Sequence, residues 1–283
     1  MTKTFKAACV QNCAGPDMTT NLTRSVEMIK KARDMGADMI ALPEYFSYLD
    51  VDDLGLQTGS QPEETHPGLA VMCEAARETG AWLLAGSFAV DGGSDGRSRN
   101  RSYMIEPDGT INARYDKIHM FDVELGKGES FKESDNFEPG TDAVLAQTPW
   151  GALGMTVCYD LRFAYLYRSL AQSGARFLSV PAAFMRTTGM AHWHVLLRAR
   201  AIETGCFVIA PCQNGSHGRA NTYGHSLIVD PWGNVLADGS GEDEDIIIAE
   251  IDPSLVDEAR GKVPALEHDR PYGGTYGGTH DEA

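Results

Sequence analysis

No apolar run in this sequence is long enough to span a bilayer as a helix. Positive charge is also scarce. Against 40 Asp and Glu there are 24 Lys and Arg, a net charge of -16. A chain of that sign lacks the footprint that nucleic acid or an anionic membrane requires, and neither is expected as a partner. A secretory h-region is missing too, because Met1-Thr2-Lys3-Thr4-Phe5 runs straight into a strand-like stretch. Six cysteines without such a leader are expected to be reduced thiols in a cytoplasmic protein, with no disulfide framework. Cys9, Cys206 and Cys212 lie in apolar runs and read as core, while Cys13 and Cys73 carry no motif. No Cys/His pair has zinc-site spacing. His192 and His194, two apart on a helix, point away from each other, so no metal is expected. Gly92-Gly93 and Gly273-Gly274 lack the strand-to-helix setting of a phosphate cradle, so no nucleotide or other cofactor is expected. No repeat or compositional break divides the chain. One domain is expected over residues 1–270, followed by a Gly-rich tail over 271–283.

What the chain does have is an ordinary globular composition, 42% hydrophobic and 23% charged, with length enough for a sizeable core. Strands are expected at 5–11, 38–42, 82–90, 101–106, 111–115, 151–157, 176–180, 206–211, 226–230, 235–238 and 245–251. Helices fall between them. The first carries an apolar face of Leu22, Val26, Ile29, Ala32 and Met35, with Thr20 or Asn21 as its cap. Others are expected at 69–79, from 161, at 190–203 and at 253–260. Residues 121–139 are long, charged and without periodicity, and read as an irregular functional segment. Helices alternating with strands predict an α/β layered fold.

Cys158 falls where a strand stops and a helix is about to begin. A side chain on such a turn sits at the carboxyl end of a sheet, where backbone N–H groups can face a developing oxyanion. The plain reading is a buried small apolar residue. Glu44, Lys117 and Glu133 also follow strands. Singly, each reads as a surface residue. Together, a thiol to attack, a carboxylate to take its proton and a lysine to hold the oxyanion form a covalent-catalysis set with Glu in place of His.

Several blocks carry a more specific signal. They are Ala41-Leu42-Pro43-Glu44, Tyr115-Asp116-Lys117-Ile118-His119-Met120-Phe121-Asp122-Val123, Val157-Cys158-Tyr159-Asp160-Leu161-Arg162-Phe163, Thr187-Thr188-Gly189-Met190-Ala191-His192-Trp193, Leu197-Arg198-Ala199-Arg200-Ala201-Ile202-Glu203 and Gly224-His225-Ser226-Leu227-Ile228-Val229-Asp230-Pro231-Trp232-Gly233. In this order they resemble the nitrilase superfamily of carbon–nitrogen hydrolases, in its Nit amidase branch.

The resemblance implies a four-layer α-β-β-α sandwich that forms a homodimer or larger homo-oligomer by packing helical faces. The aromatic run Phe163, Tyr165 and Tyr167 adds to that expectation. The family's catalytic Glu, Lys and Cys map onto Glu44, Lys117 and Cys158. Its additional Glu precedes a Ser. Of the dipeptides Glu129-Ser130 and Glu133-Ser134, the latter resembles the family pattern, which assigns Glu133.

The expected reaction is hydrolysis of a small linear amide to acid and ammonia through a Cys158 thioester. The Tyr159 N–H assists Lys117 at the oxyanion. Arg162 and Arg186 are the candidates for clamping a substrate carboxylate. Within the branch, residues 197–204 resemble the deaminated glutathione group more, which makes deaminated glutathione the expected substrate and 2-oxo-acid ω-amides such as 2-oxoglutaramate the alternative. Nitrile hydrolysis or acyl transfer on the same site, a Cys–His hydrolase with His119 as base, and an interaction protein on a retained scaffold are the competing readings.

Overall fold

The structure is a computed structural model that describes residues 3–52, 55–57, 59–126 and 129–270, so the expected tail lies outside the described residues. Two six-stranded sheets form its centre. The first runs Asp245–Ile251, Phe5–Gln11, Met39–Ala41, Trp82–Asp91, Ser98–Ile105, Ile111–Asp116. The second runs Val144–Thr148, Gly151–Met155, Ala175–Ser179, Phe207–Ala210, Leu227–Val229, Val235–Asp238. In each sheet the three consecutive strands that begin with Phe5–Gln11 or Gly151–Met155 are parallel, and the outer pairings are antiparallel.

The period of two in a strand explains the layering. In Phe5–Gln11, the side chains of Phe5, Ala7 and Cys9 enter one core and those of Ala8 and Val10 another. Met39 and Ala41 divide from Ile40, and Leu84 from Leu83 and Ala85, in the same way. The outer core of this sheet is covered by helices α1 (Met18–Asp34) and α2 (Pro67–Thr79), through Leu22, Ile29, Ala32, Met72 and Ala76. Its inner face meets the second sheet, where Phe5 packs edge-on to Phe177 at 5.4 Å. The far side of the second sheet carries α3 (Ala164–Gln172) and α4 (Arg186–Thr204), through Leu166, Leu170, Trp193 and Leu197. The expected α-β-β-α sandwich is therefore the fold. A fifth helix, α5 (Ser254–Lys262), follows the last strand.

Several local expectations shift. Helix α1 starts earlier than expected, because the carboxylate of Asp17 rather than Thr20 or Asn21 caps it, accepting the Thr20 N–H at 3.1 Å. Helix α4 also starts earlier, at Arg186. Thr187-Thr188-Gly189 has low helix propensity, but Gly189 lies under the Tyr223 ring, where a Cβ would come within 2.4 Å of Cγ. The helix expected from Leu161 is split into a 3₁₀ turn, Cys158–Arg162, and α3. The segment 121–139, expected to be irregular, contains a hairpin, Asp122–Gly126 with Glu129–Lys132, followed by a 3₁₀ turn at Glu133–Asp135. The aromatic run is used largely within the chain: Tyr167 is in the core and Phe163 stacks on His119 with centroids 3.5 Å apart.

Candidate active site

Cys158 stands just past strand Gly151–Met155 with φ +46°, a left-handed conformation that costs a non-glycine residue about 1–2 kcal/mol. Hydrogen bonds on both sides hold it there. The Cys158 N–H donates to Pro181 O at 2.8 Å, and the Val157 N–H to Asp160 Oδ2 at 2.8 Å. Asp160 is fully buried and anchors the turn to the first sheet. Its Oδ2 accepts the Tyr115 hydroxyl at 2.7 Å and its Oδ1 accepts the His119 backbone N–H at 3.1 Å. The turn thus presents the thiol at a fixed place, and backbone strain of this kind gathers where function requires it.

The fold brings Glu44, Lys117, Glu133 and Cys158 to one place, all buried. Lys117 follows strand Ile111–Asp116, and its ammonium donates to Glu44 Oε1 at 2.9 Å and to both oxygens of Glu133, at 2.9 and 2.8 Å. Glu44 Oε1 also accepts Asn100 Nδ2 at 2.9 Å, and Oε2 accepts the Ala183 N–H at 2.9 Å. Glu133 is held by the Phe121 N–H at 2.6 Å and the Tyr45 hydroxyl at 3.0 Å. Every oxygen of the two carboxylates therefore has a donor, which is how a cluster of this charge tolerates burial.

The electrostatics follow from that arrangement. Burial alone would lower the Lys117 pKa, but Glu133 and Glu44 outweigh it and hold the value well above 10.5. The amine stays an ammonium. Burial raises the Cys158 thiol well above 9.0, and the Glu44 carboxylate raises it further, against the opposing pull of Lys117. A thiol raised in this way favours its protonated form. Glu44 is the acceptor beside it.

Above these residues opens a cavity of about 580 Å³, within the range of small-molecule sites. Its apolar wall includes Leu49, Val51, Phe121, Phe131, Phe184 and Met185, and Tyr159 lines it next to Cys158. The expected carboxylate clamps do not reach it. Arg162 turns toward His192 Nδ1 at 3.3 Å and lies over the Tyr159 and Phe184 rings. Arg186, at the start of α4, pairs with Glu242 at 3.5 Å on the exposed surface. The cations lining the cavity among the described residues are instead Lys117, Lys132 and Arg219. Arg219 comes from the turn of the hairpin Asn214–His217 with Ala220–Tyr223, which crosses to the Val51 backbone through an Arg219 N–H to Val51 O bond of 2.8 Å.

The Cys–His alternative loses its base. His119 Nδ1 lies 2.7 Å from Asp160 Oδ1 and Nε2 lies 2.6 Å from the Tyr165 hydroxyl, so both ring nitrogens are engaged away from the thiol.

Three residues of the site carried no reading in the sequence. Asp160 lies inside a family block, yet nothing local shows that its carboxylate folds back onto the turn. Tyr45, beside Glu44, has φ +54°, which only the structure reveals. Asn100 fell in a segment that reads as loop; it sits in strand Ser98–Ile105 and sends Nδ2 to Glu44, to the Tyr45 hydroxyl at 2.8 Å and toward Glu133 Oε1 at 3.2 Å.

Comparison with known proteins places the chain in a family. The carbon-nitrogen hydrolase family model matches residues 6–261. A deaminated glutathione amidase of Synechocystis is 40% identical over 271 residues, covering 94% of this chain and 98% of its own. The Homo sapiens protein of the same name is 38% identical over 270 residues, with 93% and 82% covered. The crystal structure of the C. elegans NitFhit protein superposes with a TM-score of 0.85 at 35% identity, over 95% of this chain and 66% of that one. Saccharomyces cerevisiae Nit3, described as a member of branch 10 of the nitrilase superfamily, gives 0.82 at 28% identity, with 94% and 96% covered. With a family model spanning almost the whole sandwich and relatives of this identity along its length, the chain belongs to the carbon–nitrogen hydrolases of the nitrilase superfamily.

Proposed function

We propose that the chain hydrolyses a small, linear, carboxylate-bearing amide through a thioester on Cys158. The observation that carries this reading is the meeting of a thiol, a carboxylate and a buried lysine on the floor of one cavity. Glu44 takes the thiol proton as sulfur attacks the carbonyl carbon. The oxyanion is held by the Lys117 ammonium and the Tyr159 N–H. When the tetrahedral intermediate collapses, the C–N bond breaks and Glu44 returns the proton to the departing nitrogen. Water then enters, gives a proton to Glu44 and attacks the thioester. The C–S bond breaks, and the thiolate takes the proton back. Glu133 holds Lys117 in register and orients the substrate amide.

Glu133, and not Glu129, is the fourth member in this reading, because Glu133 makes two bonds to the Lys117 ammonium. Glu133→Gln replaces a charge-assisted contact by a neutral one, so kcat is expected to fall about 10- to 100-fold. Glu129→Gln is expected to leave kcat within about twofold, because no step of the proposed mechanism uses that carboxylate. Steady-state kinetics on the two purified variants decide it, and the reverse ranking rejects the assignment.

The substrate reading rests on Arg219. A guanidinium on the wall of the cavity suits a carboxylate remote from the scissile bond. Deaminated glutathione, the substrate in the names of relatives at 36–40% identity, has carboxylates at both ends and a scissile amide between them. Its cleavage releases a peptide amine; only a primary ω-amide such as 2-oxoglutaramate would release the ammonia first expected. The test is kcat/KM for deaminated glutathione, 2-oxoglutaramate and an uncharged aliphatic amide, in wild type and Arg219→Gln. The variant is expected to lose about 10- to 100-fold on the substrate whose carboxylate it holds, and nothing on the uncharged amide. A tenfold preference of the wild type for the uncharged amide would remove the carboxylate from the proposal.

A further inference from the structure

Away from the cavity, three side chains far apart in the sequence converge on the solvent side of the second sheet. His194 projects from α4, His225 precedes strand Leu227–Val229, and Asp238 ends strand Val235–Asp238. His194 Nε2 is 3.2 Å from Asp238 Oδ2, and His225 Nδ1 is 2.9 Å from Asp238 Oδ1. One ligand atom from each residue lies within 4.8 Å of the other two. We propose that this cluster binds a divalent ion of the zinc class, through His194 Nε2, His225 Nδ1 and one oxygen of Asp238, with water completing the shell.

Geometry is the first support. Zinc bonds of 2.0–2.1 Å in a tetrahedron place neighbouring ligand atoms about 3.3 Å apart; each imidazole already lies at about that distance from its own oxygen of Asp238, and the three ligand atoms, all within 4.8 Å of one another, need only a small adjustment to share one ion. Two imidazoles and a carboxylate form the donor set that suits zinc, nickel or copper and does not suit magnesium or calcium. The side chains are 32%, 29% and 41% exposed, so an ion can enter from solvent.

The second support is the way His225 is held. Its φ is +53°, a strained value for a residue with a Cβ. Its carbonyl accepts the Trp193 indole N–H at 2.8 Å, and its N–H donates to Ser240 O at 3.3 Å. Its Nε2 faces the backbone of Gly241, where even a Cβ would come within 2.8 Å. That leaves Nδ1 as the nitrogen turned to Asp238. The backbone of His225 is thus held by groups outside the cluster, which keeps its side chain beside Asp238. The spacing argument that led to no metal being expected concerned histidines on one helix. It could not see a ligand set assembled from a helix, a loop and a strand end.

The plain alternative is a pair of neutral histidines donating to a shared carboxylate. Calorimetric titration of the untagged, chelator-treated protein with zinc chloride separates the two, with Cys158→Ala titrated alongside to remove the thiol as a ligand. The expected result is one ion per chain at this cluster with a micromolar or tighter Kd. His194→Ala, at a half-exposed helix position outside the buried core, should weaken that binding at least tenfold, and so should Asp238→Asn. Zinc should raise the Tm of Cys158→Ala and not that of the Cys158→Ala/His194→Ala double variant. His194→Ala should turn over amide at the wild-type rate, and chelation should leave wild-type turnover intact, because the site lies outside the catalytic cavity. Absence of zinc binding in Cys158→Ala, or undiminished binding when His194→Ala is added to it, overturns the proposal.

Discussion

Cys158→Ala is expected to abolish amide turnover and leave the protein folded. The sulfur is the only heavy atom removed, and it is the one that forms the bond to the substrate carbon in the proposed mechanism. Loss of a nucleophile from a cooperative catalytic set costs on the order of a million-fold in kcat. The structural cost is small. Alanine accepts the +46° φ no better and no worse than cysteine, and the bonds that hold the turn come from the backbone and from Asp160. The Tm should therefore correspond to a change of no more than about 1 kcal/mol. Cys206 is the contrasting case. It is fully buried, with its sulfur 3.0 Å from an Arg260 guanidinium nitrogen, and its replacement by alanine should cost about 1–3 kcal/mol with turnover retained in the folded fraction. Single-turnover assays and thermal melts on both variants read the two effects. If Cys158→Ala keeps wild-type hydrolysis, the thioester mechanism is wrong.

Lys117→Met is expected to lose both activity and stability. Methionine has nearly the same length, but it leaves Glu44 and Glu133 buried without the ammonium that bridges them. Removing one partner of a buried ion pair costs about 3–5 kcal/mol, far more than an exposed pair would. Turnover should fall by at least about a thousand-fold, because in the proposed mechanism a charged oxyanion donor is lost and Glu44 loses a positioning contact.

The pH dependence has a definite sign. The folded-state pKa of Lys117 lies above the unfolded value of 10.5, so its stabilisation is complete below 10.5 and is lost as pH rises through the folded value. Urea unfolding of wild type and variant should accordingly show a constant gap from about pH 8 to about 10, narrowing above that. A gap already lost between about pH 8 and 10 would show that Lys117 is not the charged bridge described here.

How far the sequence alone reaches depends on the range of the interactions involved. Strand alternation is a property of neighbouring residues, so the division of Phe5–Gln11 into two apolar faces could be read from the chain. So could the placement of Cys158 between a strand and a helix, and the blocks that carry the family resemblance. The assignment of Glu133 over Glu129 came from a local pattern as well. Each of these is written in fewer than about ten consecutive residues.

What the tertiary structure decided are the contacts between segments distant in the chain. Asn100 reaches Glu44 across a separation no periodicity records, and Asp160 reaches back to a turn that its own neighbours do not announce. Arg162 and Arg186 lie near the site in sequence, but helix geometry and ion pairing carry them away from the cavity. Arg219 is remote in sequence, and a hairpin delivers it to the wall. His119 looked free to act as a base until Asp160 and Tyr165 took both of its nitrogens. His194, His225 and Asp238 meet only because α4 packs on the face of the second sheet against strand Leu227–Val229. Local pattern is set by the few residues on either side of a position. Side-chain partnership is set by where sheets and helices stack, and that depends on the whole chain at once.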